Sequence, residues 1–340
     1  MEAPTLHPAS KASLAGIAKA AGVSASTVSR ALAGSSLISA ETRERIVQLA
    51  RERGYRPNQL ARSLRTRRAE AVGVVVPLGH ETGQHVSDPF FITLLGFLAD
   101  ALTERGYDLL LSRVIPDSPA WLDRITESGR VDGVIVIGQS DQTDVLDAVA
   151  GRYAPLVVWG ARLPGGRHVT VGTDNHLGGV LATRHLLDRG RRRLAFFGNP
   201  LAPEIALRQA GFFATCAEHG LGGVAETVPV PLTPDRAYAM AVDHLARSPA
   251  PDGIVAESDV VAMSAIRALT ERGLRVPEDV AVVGFDDVPL AAHTVPPLTT
   301  IRQDLARGAA LLVELLLRRL AGETVEAVVL PPELVIRGSA

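Results

Sequence analysis

A small all-α head followed by an α/β body of two doubly wound lobes is the fold that this 340-residue sequence predicts. Three observations carry that prediction. Charge is segregated: residues 1–68 hold twelve Lys or Arg against four acids, a net +8, while the remainder holds 23 against 33, a net −10. Up to Gly54, apolar residues recur at helical spacing in short segments. From Ala71 onward, continuous Val/Ile/Leu runs alternate with amphipathic stretches, the pattern of parallel strands buried on both faces.

The bulk composition narrows the class. An apolar fraction of 46% and a charged fraction of 21% are those of a folded globular chain. The one cysteine, Cys216, cannot form an internal disulfide, and no Cys/His cluster has zinc spacing, so no metal and no cofactor is expected and a reducing cytoplasm fits. "MEAPTLHPAS" has neither a basic start nor an apolar core, so no signal peptide is expected. No apolar run approaches the roughly 20 residues that span a bilayer; "AALLVELLLRRL" is broken by Glu314 and reads as an amphipathic helix. A basic head on an acidic body calls for a polyanion partner for the head alone.

Three helices make up the head. In "SLAGIAKAAG", Leu14, Ile17, Ala18 and Ala21 fall on one face, with Ser13 as N-cap and Gly22 as terminator. In "GVSASTVSRAL", Ser24 caps a second helix whose buried stripe is Val28, Ala31 and Leu32, leaving Ala25, Ser26, Ser29 and Arg30 outward. In "SAETRERIVQLARERG", Ser39 caps a third helix that buries Ile46, Leu49 and Ala50 and ends at Gly54. Two short helices around a tight Gly-containing turn form a helix-turn-helix, whose second helix enters the major groove of duplex DNA by its N-terminus. That use explains a hydroxyl-rich face of weak helix formers. Ser24, Ser26, Thr27 and Ser29 are short enough for close approach and donate to phosphates or base edges, Ala25 can touch a thymine methyl, and Arg30 offers a fork to guanine or phosphate. The alternative is an ordinary three-helix unit with a solvated serine face, which the +8 charge disfavours.

"YRPNQLARSLRTRRAE" follows. Pro57 holds Arg56 extended and can begin a short helix from Asn58 to Arg65, with Leu60, Ala61 and Leu64 on one side. A helix this short is marginal alone, so the segment reads either as a solvated basic linker or as one that folds on DNA. In the second reading Leu64 wedges into the minor groove while Arg62, Arg65 and Arg67 hold backbone. The expected boundaries are a DNA-binding domain over 1–57, a hinge helix and linker over 58–69, and a ligand-binding and dimerisation domain over 70–340.

In the body, "AVGVVVP", "YDLLLSRV", "VDGVIVIG" and "APLVVWG" form one strand series, and "RRLAFFG", "ETVPVP", "DGIVAE" and "DVAVVGF" a second. Two series imply two lobes: lobe 1 over about 70–171 and 302–322, and lobe 2 over about 174–298 and 326–340. "LTTI" is expected to cross back, "RQDLARGAALLVELLLRRL" to add a helix to lobe 1, and "VVLPPELVIRGS" to finish lobe 2. Ligands of open α/β sheets bind beyond the carboxyl ends of the strands. The polar residues there are Asp88, Glu204, Arg208, Ser258, Asp259 and Asp286. A guanidinium fork and a carboxylate that accepts two hydroxyls suit a polyhydroxylated ligand, although Arg208 and Asp286 could equally form a buried ion pair. Asp259 reads as a helix N-cap, Asp287 as structural, and Trp159 either as a sugar-stacking ring or as core. His80 and His85 share a loop and are not read as metal ligands.

"SLAGIAKAAGVSASTVSRAL", "SAETRERIVQLARERGYRPNQLARSLRTRR" and "GFDD…PPLTTI" together resemble the lactose/galactose-repressor (LacI/GalR) family of bacterial transcription regulators, essentially throughout the chain after about residue 11. The resemblance implies a periplasmic-binding-protein-like body with a small effector, a sugar or sugar derivative, in the cleft. It also implies a homodimer on a pseudo-palindromic double-stranded operator. It places Ala25, Ser26 and Arg30 at base-reading positions and Leu64 at the minor-groove wedge; Asn58, Ala61 and Arg65 of the linker are further candidate DNA contacts. It makes Arg208 and Asp286 principal effector contacts and Glu204 and Asp88 ligand-selecting ones; Phe90 in the "DPFF" motif, Trp159 and Ser258 are further candidates for the same site. The sequence departs from the family at Gly16, where an acid is usual, at Asp88, where Asn is usual, and in the longer loop "LGHETGQHVSDPFF". That loop could reach the ligand or a partner subunit.

An enzyme would need a recognisable centre, and there is no GxxxxGK[ST] loop, no GxGxxG after the first strand and no GxSxG elbow. An exported solute-binding protein would leave the basic head unexplained. The expectation is a ligand-controlled DNA-binding repressor, with ligand-strengthened DNA binding as the alternative sign.

Overall fold

The computed structural model describes residues 13–32, 34–55 and 68–340. The chain divides into two compact units, residues 1–68 and 69–340. In the first, α1 (Leu14–Ala21), α2 (Ala25–Leu32) and α3 (Ala40–Glu52) pack through Ile17, Ala18, Ala21, Val28, Ala31, Ile46 and Ala50. The expected caps form: Ser13 accepts from Gly16 N at 3.1 Å, Ser24 from Thr27 N at 3.1 Å and Ser39 from Thr42 N at 3.4 Å. Gly22 takes the left-handed conformation that ends α1 (φ 67°). Gly16 stands inside α1 without interrupting it. Three details differ from expectation. Leu32 and Leu49, expected in the core, are half-buried, and Ser29, expected outward, is buried. Ser29 directly follows Val28, and an eight-residue helix packed by two neighbours buries more than its apolar stripe.

The second unit carries two six-stranded sheets, each with helices on both faces. Sheet A has the order β11-β5-β4-β3-β1-β2, from β1 (Ala71–Pro77), β2 (Asp108–Val114), β3 (Gly133–Ile137), β4 (Leu156–Trp159), β5 (Val169–Thr173) and β11 (Val328–Leu330). Sheet B has the order β12-β10-β9-β8-β6-β7, from β6 (Leu194–Phe197), β7 (Glu226–Val228), β8 (Gly253–Ala256), β9 (Ala281–Asp286), β10 (Thr299–Arg302) and β12 (Glu333–Val335). All pairings are parallel except β10 with β12. Sheet A is covered by α4 (Pro89–Thr103) and α11 (Leu305–Leu320) on one face and by α6 (Thr143–Ala150) and the single turn α5 (Asp123–Thr126) on the other. Sheet B is covered by α7 (Asn175–Asp188) and α8 (Pro203–Glu218) on one face and by α9 (Pro234–Arg247) and α10 (Asp259–Glu271) on the other. No helix among the described residues is long and apolar enough to cross a membrane.

The strand allocation corrects the expected lobe boundaries. "LTTI" supplies β10, a strand of lobe 2 paired with β9 from Thr299 opposite Val283. "VVLPPELV" is split: β11 joins lobe 1, with Val328 opposite Val171, and β12 joins lobe 2. The reason is Pro331-Pro332, which has no N–H to offer a ladder and cannot continue a strand within either sheet. β5, "VTVGT", escaped the pattern because its two threonines and a glycine dilute the apolar run. The lobes are therefore joined three times, after β5, after β10 and between β11 and β12.

One packing feature fixes the cavity-bearing helix α8. A β-carbon on Gly179 of α7 would lie 2.1 Å from the Arg208 carbonyl oxygen, and one on Gly211 would lie 2.1 Å from the His176 carbonyl oxygen. The two helix backbones are in contact there, which seats Arg208 at a fixed height. Gly179→Ala is expected to destabilise the chain by about 1–3 kcal/mol, as over-packing does, measured as a lower urea midpoint with an unchanged m-value.

Candidate functional site

The head offers one chemically distinctive surface. On α2, Ala25, Ser26 and Arg30 are exposed, Thr27 is half-buried and Ser29 is buried. Ser24 is exposed but occupied, since its hydroxyl caps the helix and lies 2.7 Å from Ser26 Oγ and 2.8 Å from Thr27 Oγ1. The cluster orders three hydroxyls at one helix N-terminus, where backbone N–H groups and the helix dipole favour a phosphate. The linker residues Asn58, Ala61, Leu64 and Arg65 lie outside the described residues.

In the body, the structure brings Asp88, Phe90, Trp159, Glu204, Arg208, Ser258 and Asp286 onto the wall of one cavity between the lobes. Lobe 1 contributes the first three and lobe 2 the rest. Arg208, one turn into α8, is buried. Its Nε donates to Asn175 Oδ1 at 2.8 Å and its Nη1 donates to the Glu257 carbonyl oxygen. Its guanidinium lies over the Phe285 ring, 3.6 Å from the centroid, and 3.9 Å from Asp286 Oδ1. Arg208 and Asp286 thus form a loose ion pair. Burial draws the Arg208 pKa down, against the surrounding carboxylates.

Asp286 ends β9 with φ 118°, a strained conformation for a residue with a β-carbon. Its Oδ1 accepts from Gln303 Nε2 at 2.7 Å. Burial pushes its carboxyl up to about 7, with Arg208 opposing. Asp287 is structural, paired with Arg302 at 2.7 Å and Arg337 at 2.6 Å. Glu204, in the first turn of α8, spans the cleft: its Oε1 accepts from Gln139 N of lobe 1 at 3.1 Å. Burial raises its carboxyl too. Asp88 caps α4, accepting from Phe90 N at 2.9 Å and from Gln84 Nε2 at 3.2 Å, and burial raises its carboxyl.

Two expectations change. Ser258, not Asp259, caps α10, accepting from Val261 N at 3.3 Å while still lining the cavity. Asp259 sits inside the first turn and is fully buried; it accepts from Val288 N at 2.8 Å and from Thr300 Oγ1 at 2.5 Å, so it ties the ends of β9 and β10 together. Trp159 is a core residue and part of the cavity wall at once. It packs in the lobe 1 core beside Phe90, ring centroids 6.4 Å apart, and it also lines the cavity.

Sequence reasoning missed Asn175, Gln303, Gln139 and Glu257, each the first polar residue or so after a strand. Glu257 is fully buried behind Arg208; its Oε2 accepts from Asn199 N at 2.8 Å, its Oε1 has no hydrogen-bond partner among the described residues, and burial pushes its carboxyl up to about 8. Among the described residues no cluster of His, Cys, Asp or Glu is placed to hold a metal.

Comparison with known proteins accords with both units. Residues 13–58 match the model for bacterial regulatory proteins of the lacI family, and residues 183–340 match the periplasmic binding protein-like domain. Over 339 residues the chain is 32% identical to the HTH-type transcriptional repressor PurR of Pasteurella multocida, covering 96% of this chain and 98% of that one. The solved lac repressor dimer, bound to operator and the anti-inducer ONPF, superposes with a TM-score of 0.84 at 26% identity, covering 97% of this chain and 99% of the other. The transcriptional regulator CelR in complex with cellobiose superposes with a TM-score of 0.68 at 31% identity, covering 97% and 100%. With a helix-turn-helix head, a two-lobed body and full-length similarity of this extent, the chain belongs to the lacI family of bacterial regulatory proteins and is a DNA-binding transcriptional regulator.

Proposed function

We propose that this regulator is a homodimeric repressor whose hold on a pseudo-palindromic operator is controlled by a sugar or sugar derivative bound between the lobes. The observation that carries the reading is the cavity wall itself. Half-buried Asp88 from lobe 1, buried Glu204 and Asp286 from lobe 2 and one anchored guanidinium surround a space with Phe90 and Trp159 at its side. Such a wall matches a ligand with many hydroxyl donors and an apolar ring face. The cellobiose complex of CelR and the operator-bound lac repressor dimer support the ligand class and the dimer.

In this reading Ala25, Ser26 and Arg30 read bases, Ser24 and Thr27 serve the backbone and the helix end, and the linker residues Asn58, Ala61, Leu64 and Arg65 engage the minor groove. The ligand contacts both lobes, so it favours one angle between them. Driving a 1:99 mixture of states to 99:1 needs about 5.5 kcal/mol of differential affinity, within reach of several buried charge-assisted hydrogen bonds.

The reading is tested by a gel shift of the full chain on fragments of its own genome, with a panel of free sugars; operator binding that no sugar alters refutes the ligand assignment. Asp286→Ala is expected to abolish the sugar response while operator binding persists, read in the same gel shift. Arg30→Ala is expected to cost about 1–3 kcal/mol of operator affinity and to relax base choice at one position, read by fluorescence anisotropy on single-base operator variants. The burial of Glu257 sets a pH dependence. Its folded pKa lies above the unfolded one, so the stability that Glu257 contributes is fullest below the unfolded value and is lost as pH rises through about 8. Glu257→Gln is expected to flatten that fall in urea melts between about pH 5 and pH 9.

A further inference from the structure

The connection between β1 and α4, residues 78–88, is built into the cleft. At its base a β-carbon on Gly79 would lie 2.1 Å from Asp141 Oδ1, so the backbone is pressed against lobe 1 there. Arg113 Nη2 holds the carbonyl oxygens of Thr82 and Gln84 at 2.9 and 3.2 Å. Further along, buried Glu81 meets Arg236 of lobe 2, with Oε1 to Nη1 at 3.3 Å. Between these anchors His80 and Gln84 line the cavity.

The hydrogen bonds fix what those two side chains present. Ser140 Oγ donates to Asp141 Oδ1 at 3.0 Å and accepts from His80 N at 3.2 Å. Its one proton is therefore committed, so the 2.7 Å contact with His80 Nδ1 makes Nδ1 the donor. Burial favours the neutral ring, opposed by the charges of Asp141 and Glu81. His80 Nε2 is then a lone-pair acceptor without a partner among the described residues. Gln84 turns its Nε2 to the Asp88 carboxylate, since a carboxylate needs a donor, which leaves Gln84 Oε1 as a second unpartnered acceptor. Asp88 already accepts on both oxygens. The contact expected of Asp88 thus passes in part to the two loop residues around it.

We infer that His80 and Gln84 are specificity-determining residues of the effector site, each accepting a hydrogen bond from a ligand hydroxyl on the lobe 1 side. This rests on the sugar reading above and adds two positions to it. A ligand without the matching hydroxyl covers the acceptor and leaves it unpaired, and such sites reject it more strongly than apolar pockets reject a missing methylene.

The test is calorimetry on the full chain. A panel of free pentoses, hexoses and their disaccharides identifies the tightest sugar, whose monodeoxy analogues are then titrated into wild type, His80→Ala and Gln84→Ala, with thermal melts checking that each variant is folded. The expected result is a loss of about 10-fold in affinity for each variant, about 1.4 kcal/mol. For each variant, one deoxy analogue should bind it and the wild type equally, because the missing hydroxyl and the missing acceptor are the same interaction. His80→Gln, which can retain an acceptor, should recover part of the loss. If both variants bind like wild type, or lose affinity equally across the whole deoxy series, the two assignments are wrong and the sugar reading stands. If no sugar in the panel binds a wild-type protein that still shifts DNA, the sugar reading falls and these roles fall with it.

Discussion

The body is organised around one buried cation. Arg208 is removed from water where lobe 2 faces the cleft, and a guanidinium cannot shed its charge as a buried lysine can. Every neighbour answers that constraint. Asn175 and the Glu257 carbonyl accept from it, the Phe285 face covers it, and Asp286 supplies the nearest countercharge. The close approach of α7 to α8 at Gly179 and Gly211 is what lets Asn175, at the start of one helix, reach Arg208 on the other. Strain at Asp286 and an unpaired oxygen on Glu257 are tolerated in the same place. A site that holds carboxyls above their usual range and keeps only a loose ion pair is short of hydrogen-bond donors, which is the condition a donor-rich ligand relieves.

The three connections between the lobes bring this arrangement to the hinge. Gln303 lies in the connection after β10 and donates to Asp286, and Asp174, in the connection after β5, caps the helix that carries Asn175. Across the mouth, Glu204 accepts from Gln139 N and Glu81 meets Arg236. Groups on the cavity wall and groups that span the lobes are thus often the same residues or immediate neighbours. A ligand that rearranges hydrogen bonds at Asp286 or Glu204 necessarily alters contacts that differ between lobe angles, which is the differential interaction that a population shift requires.

Much of this was legible before any coordinates. The head's helices, their serine caps, the two strand series and the polar residues at strand ends follow from local periodicity and chain order, and all seven expected cleft residues line the one cavity. Ser29, the split of "VVLPPELV" and the place of β10 were misread because each depends on what packs alongside. Exposure on a short helix, and the choice between two sheets for a three-residue strand, are decided by neighbours far away in sequence.

The sequence by itself determined the architecture and the kind of chemistry in the cleft, because period, capping and residue type are local properties. Only the tertiary structure decided which oxygen of which carboxyl is already engaged. Asp88 became a cap, Asp259 became scaffold, Ser258 took the cap expected of its neighbour, and His80 and Gln84 emerged as open acceptors. A polar side chain has only a few hydrogen-bonding positions, and folding assigns them by proximity in space, which no reading along the chain can count.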